Sequence, residues 1–277
     1  MYMYKALSAG AVGVTLPIEE CVKLAKENGF TGIYFDVRWV YEVGPQQAKE
    51  TLAGLKPAAF GLPFDYRAET VEFTQHVLEL DELAGAAAEL GCVRCSTWVP
   101  SWHDEMDFEE NFQFHRRRMQ WVGNTLDEHG ISLGLEFIGP KTSRTGHKYE
   151  FIHTMGEMLR LCREVGPTNV GLLLDSWHWY TSGSTLEELR NLSPDQIIDV
   201  DINDAPAGIP IDEQVDRVRA MPGETGVIDL GGFLATLNEI GYRGPVMAEP
   251  FSDKLRQMAP EKAVALTAQA IDSAWPR

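Results

Sequence analysis

One pattern recurs along this chain: an amphipathic helical stretch ends, a glycine follows, and a short apolar run begins. A glycine just past a helix can adopt the left-handed conformation that closes the helix at little cost. Nearly continuous apolar runs are typical of parallel strands that are buried on both faces. Helices and strands that alternate in this way predict an α/β fold. The pattern occurs at Gly29, Gly91, Gly130, Gly166 and Gly241.

The number and spacing of the strand candidates indicate a closed barrel rather than an open sheet. Successive predicted strand ends lie roughly 25 to 50 residues apart, which is the length of one strand–helix unit. Eight such units predict a single (β/α)8 TIM-barrel domain over residues 1–277. The first strand is not followed by Gly-x-Gly-x-x-Gly, which argues against a Rossmann fold. The predicted strand ends are Ser8, Asp36, Phe60, Trp98, Glu136, Asp175, Asp201 and Glu249.

The net charge and the cysteines restrict the expected binding partners and the expected cellular compartment. The formal net charge of −17 argues against nucleic acid and anionic membranes, because both select basic proteins. The sequence lacks an apolar run of membrane-spanning length and the pattern of a signal peptide. Cys92 and Cys95 form one Cys-x-x-Cys pair without a second pair nearby, which favours two strand cysteines over a zinc site. We therefore expect a cytoplasmic protein.

Four of the strand-like runs end in an acidic residue. These are GLEF with Glu136, GLLLD with Asp175, IIDVD with Asp201 and VMAE with Glu249. All strands of a barrel end on one face, so the four carboxylates would converge and repel each other. A divalent cation would neutralise them, and oxygen ligands favour Mn²⁺ or Mg²⁺. The alternative, a separate pairing of each acid with Lys or Arg, stays open.

Several runs resemble the sugar phosphate isomerase/epimerase superfamily, also called xylose-isomerase-like TIM barrels or the AP endonuclease family 2 fold. They are GLEF, LLLDSWH, IIDVDIND, PGETGVID and GYRGPVMAEPF. The resemblance covers nearly the whole chain, and its most specific motifs lie in the second half. It implies a metal-dependent enzyme that acts on a small-molecule sugar or polyol. Barrels of this group often pair, so a homo-oligomer or a second subunit stays open.

The resemblance also implies a ligand set. Ketose epimerases of this superfamily bind metal through Glu, Asp, His and Glu at the ends of the last four strands. The first Glu, the Asp and the last Glu correspond to Glu136, Asp175 and Glu249. Asp201 stands where the family has its His. This departure fits either a site for harder metals or weaker metal binding, and we favour the first interpretation.

Five further residues are predicted to bind substrate. By resemblance, His178 and Arg219 occupy the positions of a substrate-contacting His and Arg; a buried core histidine and a solvated arginine are the alternatives. His147 lies in a polar loop and could act as an acid or base, or have no role. Trp98 and Trp102 lie near predicted strand ends, where they could stack on a sugar or pack at the barrel rim.

These residues predict proton abstraction next to a carbonyl. Glu136 or Glu249 would act as the general base and the other as the acid, which gives epimerisation or isomerisation. A lyase of the same superfamily is the first alternative: a keto-inositol dehydratase, or an enzyme that cleaves a 3-keto-glycoside or a C-glycoside. A sugar-binding subunit without catalysis is the second, and the Asp201 departure is its support. A role in DNA repair is disfavoured, because the segment from Asp199 lacks the histidines of endonuclease IV.

Overall fold

The computed structural model describes residues 3–276, in which strands and helices alternate. Residues 1, 2 and 277 of the predicted domain lie outside the described residues. The strands are β1 (Tyr4–Leu7), β2 (Gly32–Ile33), β3 (Lys56–Pro57), β4 (Phe60–Gly61), β5 (Arg94–Val99), β6 (Trp102–His103), β7 (Ser132–Phe137), β8 (Tyr149–Glu150), β9 (Val170–Asp175), β10 (Ile197–Ile202) and β11 (Pro245–Ala248). The helices are α1 (Ile18–Glu27), α2 (Val37–Val43), α3 (Pro45–Leu52), α4 (Thr70–Leu90), α5 (Phe108–Asp127), α6 (Met155–Val165), α7 (Ser176–Thr181), α8 (Leu186–Arg190), α9 (Leu230–Glu239), α10 (Asp253–Arg256) and α11 (Pro260–Ala274).

Within residues 3–276, nine strand segments form one parallel sheet in the order β3-β2-β1-β11-β10-β9-β7-β5-β4. The two end segments, β3 and β4, are separated in the chain by only Ala58 and Ala59. The amide of Ala58 donates to the carbonyl of Ile33 in β2, at 2.9 Å, and the amide of Leu62 donates to Ser96 in β5, at 2.8 Å. One continuous stretch of chain therefore joins both edges of the sheet. The predicted TIM-barrel fold is confirmed.

The predicted boundaries agree closely with the observed ones. The five glycines of the recurrent pattern all have positive φ, as a left-handed helix end requires. Seven predicted strand ends lie within one residue of an observed end. The exception is Asp36, because β2 already ends at Ile33. The Asp36 side chain instead accepts from the amide of Arg38 and caps the start of α2, so its polarity serves a helix rather than a strand.

Two excursions stand above the carboxyl ends of the strands. The short antiparallel strand pair of β6 and β8 places Trp102 opposite Glu150. The long loop after β10 returns to the barrel where Asp204 and Ala220 exchange two backbone hydrogen bonds of 3.0 and 2.8 Å. The buried Asp204 carboxylate accepts from the amides of Gly226 and Ile228, at 2.7 and 3.0 Å. Buried backbone amides need such partners, so this carboxylate holds the end of the loop in place.

The core is made from the apolar strand runs and one face of each long helix. Cys21, Val22 and Ala25 of α1 are buried, as the helical spacing predicts. Each fully buried aliphatic side chain contributes about 1.5–3 kcal/mol of transfer free energy. All four cysteines are free thiols in this core. Among the described residues, no helix is long and apolar enough to cross a membrane.

Candidate metal centre

The strand register brings four carboxylates to one height of the barrel. Asp175 of β9 lies opposite Asp201 of β10, and Asp201 lies opposite Met247 of β11, two residues before Glu249. Glu136 lies at the end of β7, on the other side of β9. One oxygen from each of these four carboxylates lies within 4.8 Å of the other three. The structure therefore brings together the four residues that the sequence predicts as ligands.

The cluster carries more negative charge than its surroundings offset. Burial, followed by the neighbouring Glu249, raises the pKa of Glu136 and of Asp201 well above the ordinary range. Burial also raises the pKa of Glu249 to about 7, although Arg219 opposes the rise. Oε1 of Glu136 and Oδ1 of Asp201 are buried and accept no hydrogen bond from any described residue. Converging oxygen donors without partners fit a hard divalent cation, which would neutralise them.

Arg219 is the basic residue that enters this cluster. Its Nη1 lies 2.6 Å from Oδ2 of Asp175 and 3.3 Å from Oε2 of Glu249. Its Nη2 lies 2.7 Å from Oδ1 of Asp216, and the side chain is only 1% exposed. A planar guanidinium can donate to several carboxylates at once. One such charge cannot balance five acids, so Arg219 offsets the repulsion in the cluster without removing it.

His178 is held in one orientation by the backbone. The amide of Gly139 donates to Nδ1 at 3.2 Å. Burial lowers the pKa of His178 to about 4, and the Arg219 charge adds to this effect, so the ring is neutral near pH 7. Nε2 lies 3.1 Å from Nη2 of Arg219, a group that can only donate, so both ring nitrogens face N–H donors. Nε2 lies 3.7 Å from Oε1 of Glu136. Because the positively charged guanidinium of Arg219 contacts Nε2, the four-carboxylate set is a better ligand set for a cation than Glu136, Asp175 and His178.

The cluster lies where two cavities meet. The larger, of about 840 Å³, extends towards β1 and β2, and the smaller, of about 610 Å³, extends towards the β6–β8 strand pair. Glu136, Glu249 and Trp98 line both cavities. Carboxylates shared by two cavities can reach a molecule that occupies either of them.

The predicted substrate residues occupy different places around these cavities. His178, Arg219 and Trp102 line the smaller cavity, and Trp98 lines both. His147 does not line either cavity; its ring stacks on Trp102, with centroids 3.4 Å apart, and its Nδ1 lies 3.2 Å from Asp104. The structure therefore places His178 and Arg219 beside the carboxylates, whereas His147 lies outside both cavities, against Trp102.

Two residues of the centre were not predicted from the sequence. Asn203 donates through Nδ2 to both oxygens of Asp175, at 3.2 and 3.3 Å, and its Oδ1 accepts from the amide of Glu249 at 2.9 Å. Asn203 follows Asp201 by two residues, so the alternation of side chains along a strand could have predicted that both face the same side. Asp216 reaches Arg219 from the long loop, where the sequence pattern offered no signal.

Comparison with known proteins places this chain in a family. The family profile described as xylose isomerase-like TIM barrel matches residues 17–274. The chain belongs to this family. The fold of this xylose isomerase-like barrel is close to that of a xylose isomerase domain protein from Alicyclobacillus acidocaldarius, with a TM-score of 0.89, 27% identity and 98% of both chains covered. The IolI protein, solved with a bound zinc atom, shares the fold with a TM-score of 0.81 at 20% identity, again over 98% of both chains.

The curated relatives of this xylose isomerase-like barrel are enzymes. The inosose isomerase of Bacillus subtilis (strain 168) is 31% identical over 143 residues, which are 52% of this chain and 48% of that protein. The 3-dehydroshikimate dehydratase of Pseudomonas putida is 32% identical over 132 residues, which are 47% of this chain and 20% of that protein. The chain thus spans about half the length, or less, of the curated relatives that it matches.

Proposed function

We propose that this protein is a divalent-metal-dependent isomerase or epimerase of a sugar or polyol, in which Glu136 and Glu249 transfer a proton next to a carbonyl. The observation that carries the proposal is the position of these two carboxylates, which line both cavities at their junction. Burial raises the pKa of both, that of Glu249 to about 7. These raised values belong to the site without a cation, and a bound cation would lower them; the position of the two carboxylates is therefore what equips them to accept and return a proton.

The proposed metal ligands are Glu136, Asp175, Asp201 and Glu249. Their oxygen donors favour Mn²⁺ or Mg²⁺ over softer metals. The zinc atom of the structurally similar IolI protein supports a divalent cation in this fold. When bound, the cation would supply Lewis acidity, which polarises a carbonyl and acidifies the adjacent C–H.

The remaining residues would orient the substrate and the carboxylates. His178 would help to shape the substrate site, with its ring held by the Gly139 amide at Nδ1 and by Arg219 at Nε2. Arg219 contacts Asp175 and Glu249 with one nitrogen, so in this proposal it also keeps those carboxylates in position. Trp98 and Trp102 would form the walls against which a sugar ring packs. His147 would act through Trp102, on which it stacks.

Dehydration is the second candidate, and the similarity to 3-dehydroshikimate dehydratase favours it. The first step would be the same removal of a proton by one carboxylate. If a hydroxyl group lies β to the new carbanion, its C–O bond breaks as a C=C bond forms. The second carboxylate would give its proton to the departing oxygen, and water would leave. The position of a leaving group on the substrate therefore decides between the two reactions.

The test is metal-dependent proton exchange. The protein would be incubated with Mn²⁺ in D₂O and a panel of ketoses, inososes and 3-keto-glycosides, followed by NMR. We expect deuterium uptake at a carbon next to the carbonyl, abolished by EDTA and lowered by about 10²–10⁴ in Glu136→Gln and Glu249→Gln. The exposed Glu187→Gln serves as the matched control. A returned proton identifies an isomerase or epimerase and an unsaturated product identifies a lyase. Full activity in both site variants contradicts the proposal.

A further inference from the structure

A third cavity lies at the end of the barrel opposite the carboxylates. Its volume is about 690 Å³, and its wall includes the first residues of three strands: Arg94 of β5, Ser132 of β7 and Ile197 of β10. Asn169 and Gly244, which directly precede β9 and β11, also line it. Among the described residues, none lines both this cavity and either cavity at the carboxylates. We call it the amino-end cavity, and it is separate from the proposed metal centre.

Arg94 crosses the amino end of the barrel with its charge unpaired. From β5, its Nε donates to the carbonyl oxygen of Ile198 in β10 at 2.9 Å, past the two strands β7 and β9 that lie between them. Within residues 3–276, its two terminal nitrogens have no hydrogen-bond partner, and it forms no salt bridge. The side chain is half-buried, so its charge is partly removed from water. A guanidinium stays charged in proteins, and its planar fork of N–H groups matches the oxygens of a phosphate.

Arg243 brings a second guanidinium to the same cavity. It lies in the turn between α9 and β11, is exposed, and forms no salt bridge with any other described residue. Its neighbour in the chain, Tyr242, is buried. Burial and the charge of Asp199 raise the pKa of the Tyr242 phenol well above its ordinary value, and the charge of Arg94 opposes the rise. Arg94 therefore lies close to the turn that carries Arg243.

The other polar groups of the wall leave it with an excess of positive charge. Ser132 lies opposite Arg94 in the register of β5 and β7, and the hydroxyls of Ser132 and Thr168 have no hydrogen-bond partner in the described part of the chain. Asn169 offers no donor, because its amide group already donates to two backbone carbonyls. Asp195, which is exposed, is the one acidic residue among the described residues of the wall. This balance favours an anion, although the whole chain has a net charge of −17.

The remaining side chains of the wall are mostly apolar, and one of them is well exposed. Val93 is 46% exposed, and Ile198 and Ile240 line the same cavity. A volume of about 690 Å³ falls within the range of about 300–1,000 Å³ that holds small organic ligands. The cavity can therefore accept an anion by itself or an anion that carries an organic group, whose burial against apolar side chains is favourable.

We propose that the amino-end cavity is a binding site for a phosphate group. Arg94 and Arg243 would contact the phosphate oxygens, and the hydroxyls of Ser132 and Thr168 would donate to them. Inorganic phosphate and the phosphate ester of a small metabolite are the two sources of this group. The proposal does not depend on the proposed function, because it uses no residue of the metal centre. A ligand that binds the folded chain here also stabilises it against unfolding.

Calorimetric titration with two probes tests the proposal. The full chain, saturated with Mg²⁺ and kept at constant ionic strength, would be titrated with inorganic phosphate and with glycerol 3-phosphate. We expect saturable binding with a Kd below about 1 mM for at least one probe, weakened by added NaCl. Tighter binding of the ester identifies an organic phosphate as the ligand, and equal affinities identify inorganic phosphate. No binding of either probe would overturn the proposal.

The decisive variant is Arg243→Gln, because this side chain is exposed and has no partner among the described residues that the change would disturb. It should lower the affinity for phosphate at least about tenfold, since it removes a charge-assisted contact. Asp195→Asn should raise the affinity, because it removes the acid of the wall. Arg94→Gln should also abolish binding, but it removes the bond to Ile198 as well. Unchanged affinity in Arg243→Gln would overturn the proposal.

Arg217→Gln is the matched control. Arg217 also forms no salt bridge with a described residue, but it lines the smaller cavity at the carboxylates. Its substitution should leave the phosphate affinity unchanged. Phosphate should also raise the free energy of unfolding of the wild type and of Arg217→Gln, but not that of Arg243→Gln. Binding that is lost in Arg217→Gln and kept in Arg243→Gln would place the phosphate at the carboxylate centre and overturn the proposal.

Discussion

Nη1 of Arg219 lies 2.6 Å from Oδ2 of Asp175, and the two side chains are 1% and 0% exposed. The pair links the long loop after β10 to the end of β9, across the centre of the proposed site. Burying both charges is costly, and their contact with Glu249 and Asp216 compensates for part of that cost. Arg219 therefore connects the stability of the fold to the arrangement of the carboxylates.

Arg219→Gln should destabilise the protein strongly, because it leaves Asp175 buried beside other acids without a cation. Removal of one partner of a buried pair costs about 3–5 kcal/mol. The measurement is the free energy of unfolding in urea, with EDTA present. Arg190→Gln, which breaks the exposed Arg190–Glu239 pair, should cost less than about 1 kcal/mol. Equal losses in the two variants would mean that the buried pair is not a major determinant of stability.

Asp201→Asn should weaken Mn²⁺ binding by at least about tenfold, because it removes one anionic oxygen from the proposed ligand set. Calorimetric titration with Mn²⁺ measures this directly. Asp195→Asn is the matched control, since Asp195 is exposed and lies before the opposite end of β10. Asp201→His should restore affinity and shift the preference towards Zn²⁺, because imidazole is a softer ligand. Unchanged Mn²⁺ affinity in Asp201→Asn would remove Asp201 from the ligand set.

Gly139→Ala should disturb the orientation of His178. A Cβ at this position would clash with the backbone oxygen of His178 and lie 2.7 Å from Oγ1 of Thr181. Relieving such a clash costs typically about 1–3 kcal/mol, and here it would push α7 away from β7. We expect the ¹⁵N NMR signals of the His178 ring to change in the variant, because the contact between the Gly139 amide and Nδ1 is disturbed. Gly156→Ala, in open surroundings, should leave that signal unchanged. An unaltered His178 signal in Gly139→Ala would show that the Gly139 amide does not fix the ring.

His115 should make the fold less stable in mild acid. It is 2% exposed, Nδ1 lies 2.9 Å from the carbonyl oxygen of Asn111, and burial lowers its pKa from 6.5 to about 4. Between these values the unfolded chain binds a proton that the folded chain does not. The contribution of His115 to stability is therefore complete above pH 6.5 and falls as the pH drops towards 4, by on the order of 3 kcal/mol.

Urea unfolding at pH 7 and pH 5 tests the contribution of His115. His115→Phe keeps an aromatic ring against Phe151, whose centroid lies 5.0 Å away, but it cannot titrate. The variant should lose less stability than the wild type over this range of pH. The same loss in both proteins would assign the acid sensitivity to other groups.

Much of the site could be predicted because strand ends are local features. An apolar run followed by an acid requires only neighbouring residues to be recognised, and Glu136, Asp175, Asp201 and Glu249 all followed this pattern. Their convergence then followed from the geometry of a closed parallel barrel. The same reasoning placed the end of β2 wrongly at Asp36, because an acidic residue that caps a helix and one that ends a strand look alike in sequence.

The contacts among these residues could not be predicted in this way. Arg219 and Asp216 lie in a long loop with no regular period, so only its folded path brings them to Asp175 and His178. The ring of His178 is held by the amide of Gly139, 39 residues away in the chain. The two cavities at the carboxylates are lined by side chains of distant strands and loops, so neither cavity has a sequence pattern of its own.

The sequence by itself determined the barrel, the ends of most of its strands and the residues that converge, because backbone propensity and hydrophobic burial act over short stretches of chain. Only the tertiary structure decided which charges pair, which groups contact the ring nitrogens of His178 and what shape the cavities have. These properties depend on distances between atoms far apart in the chain, since charge pairing and hydrogen bonding act only over a few ångströms.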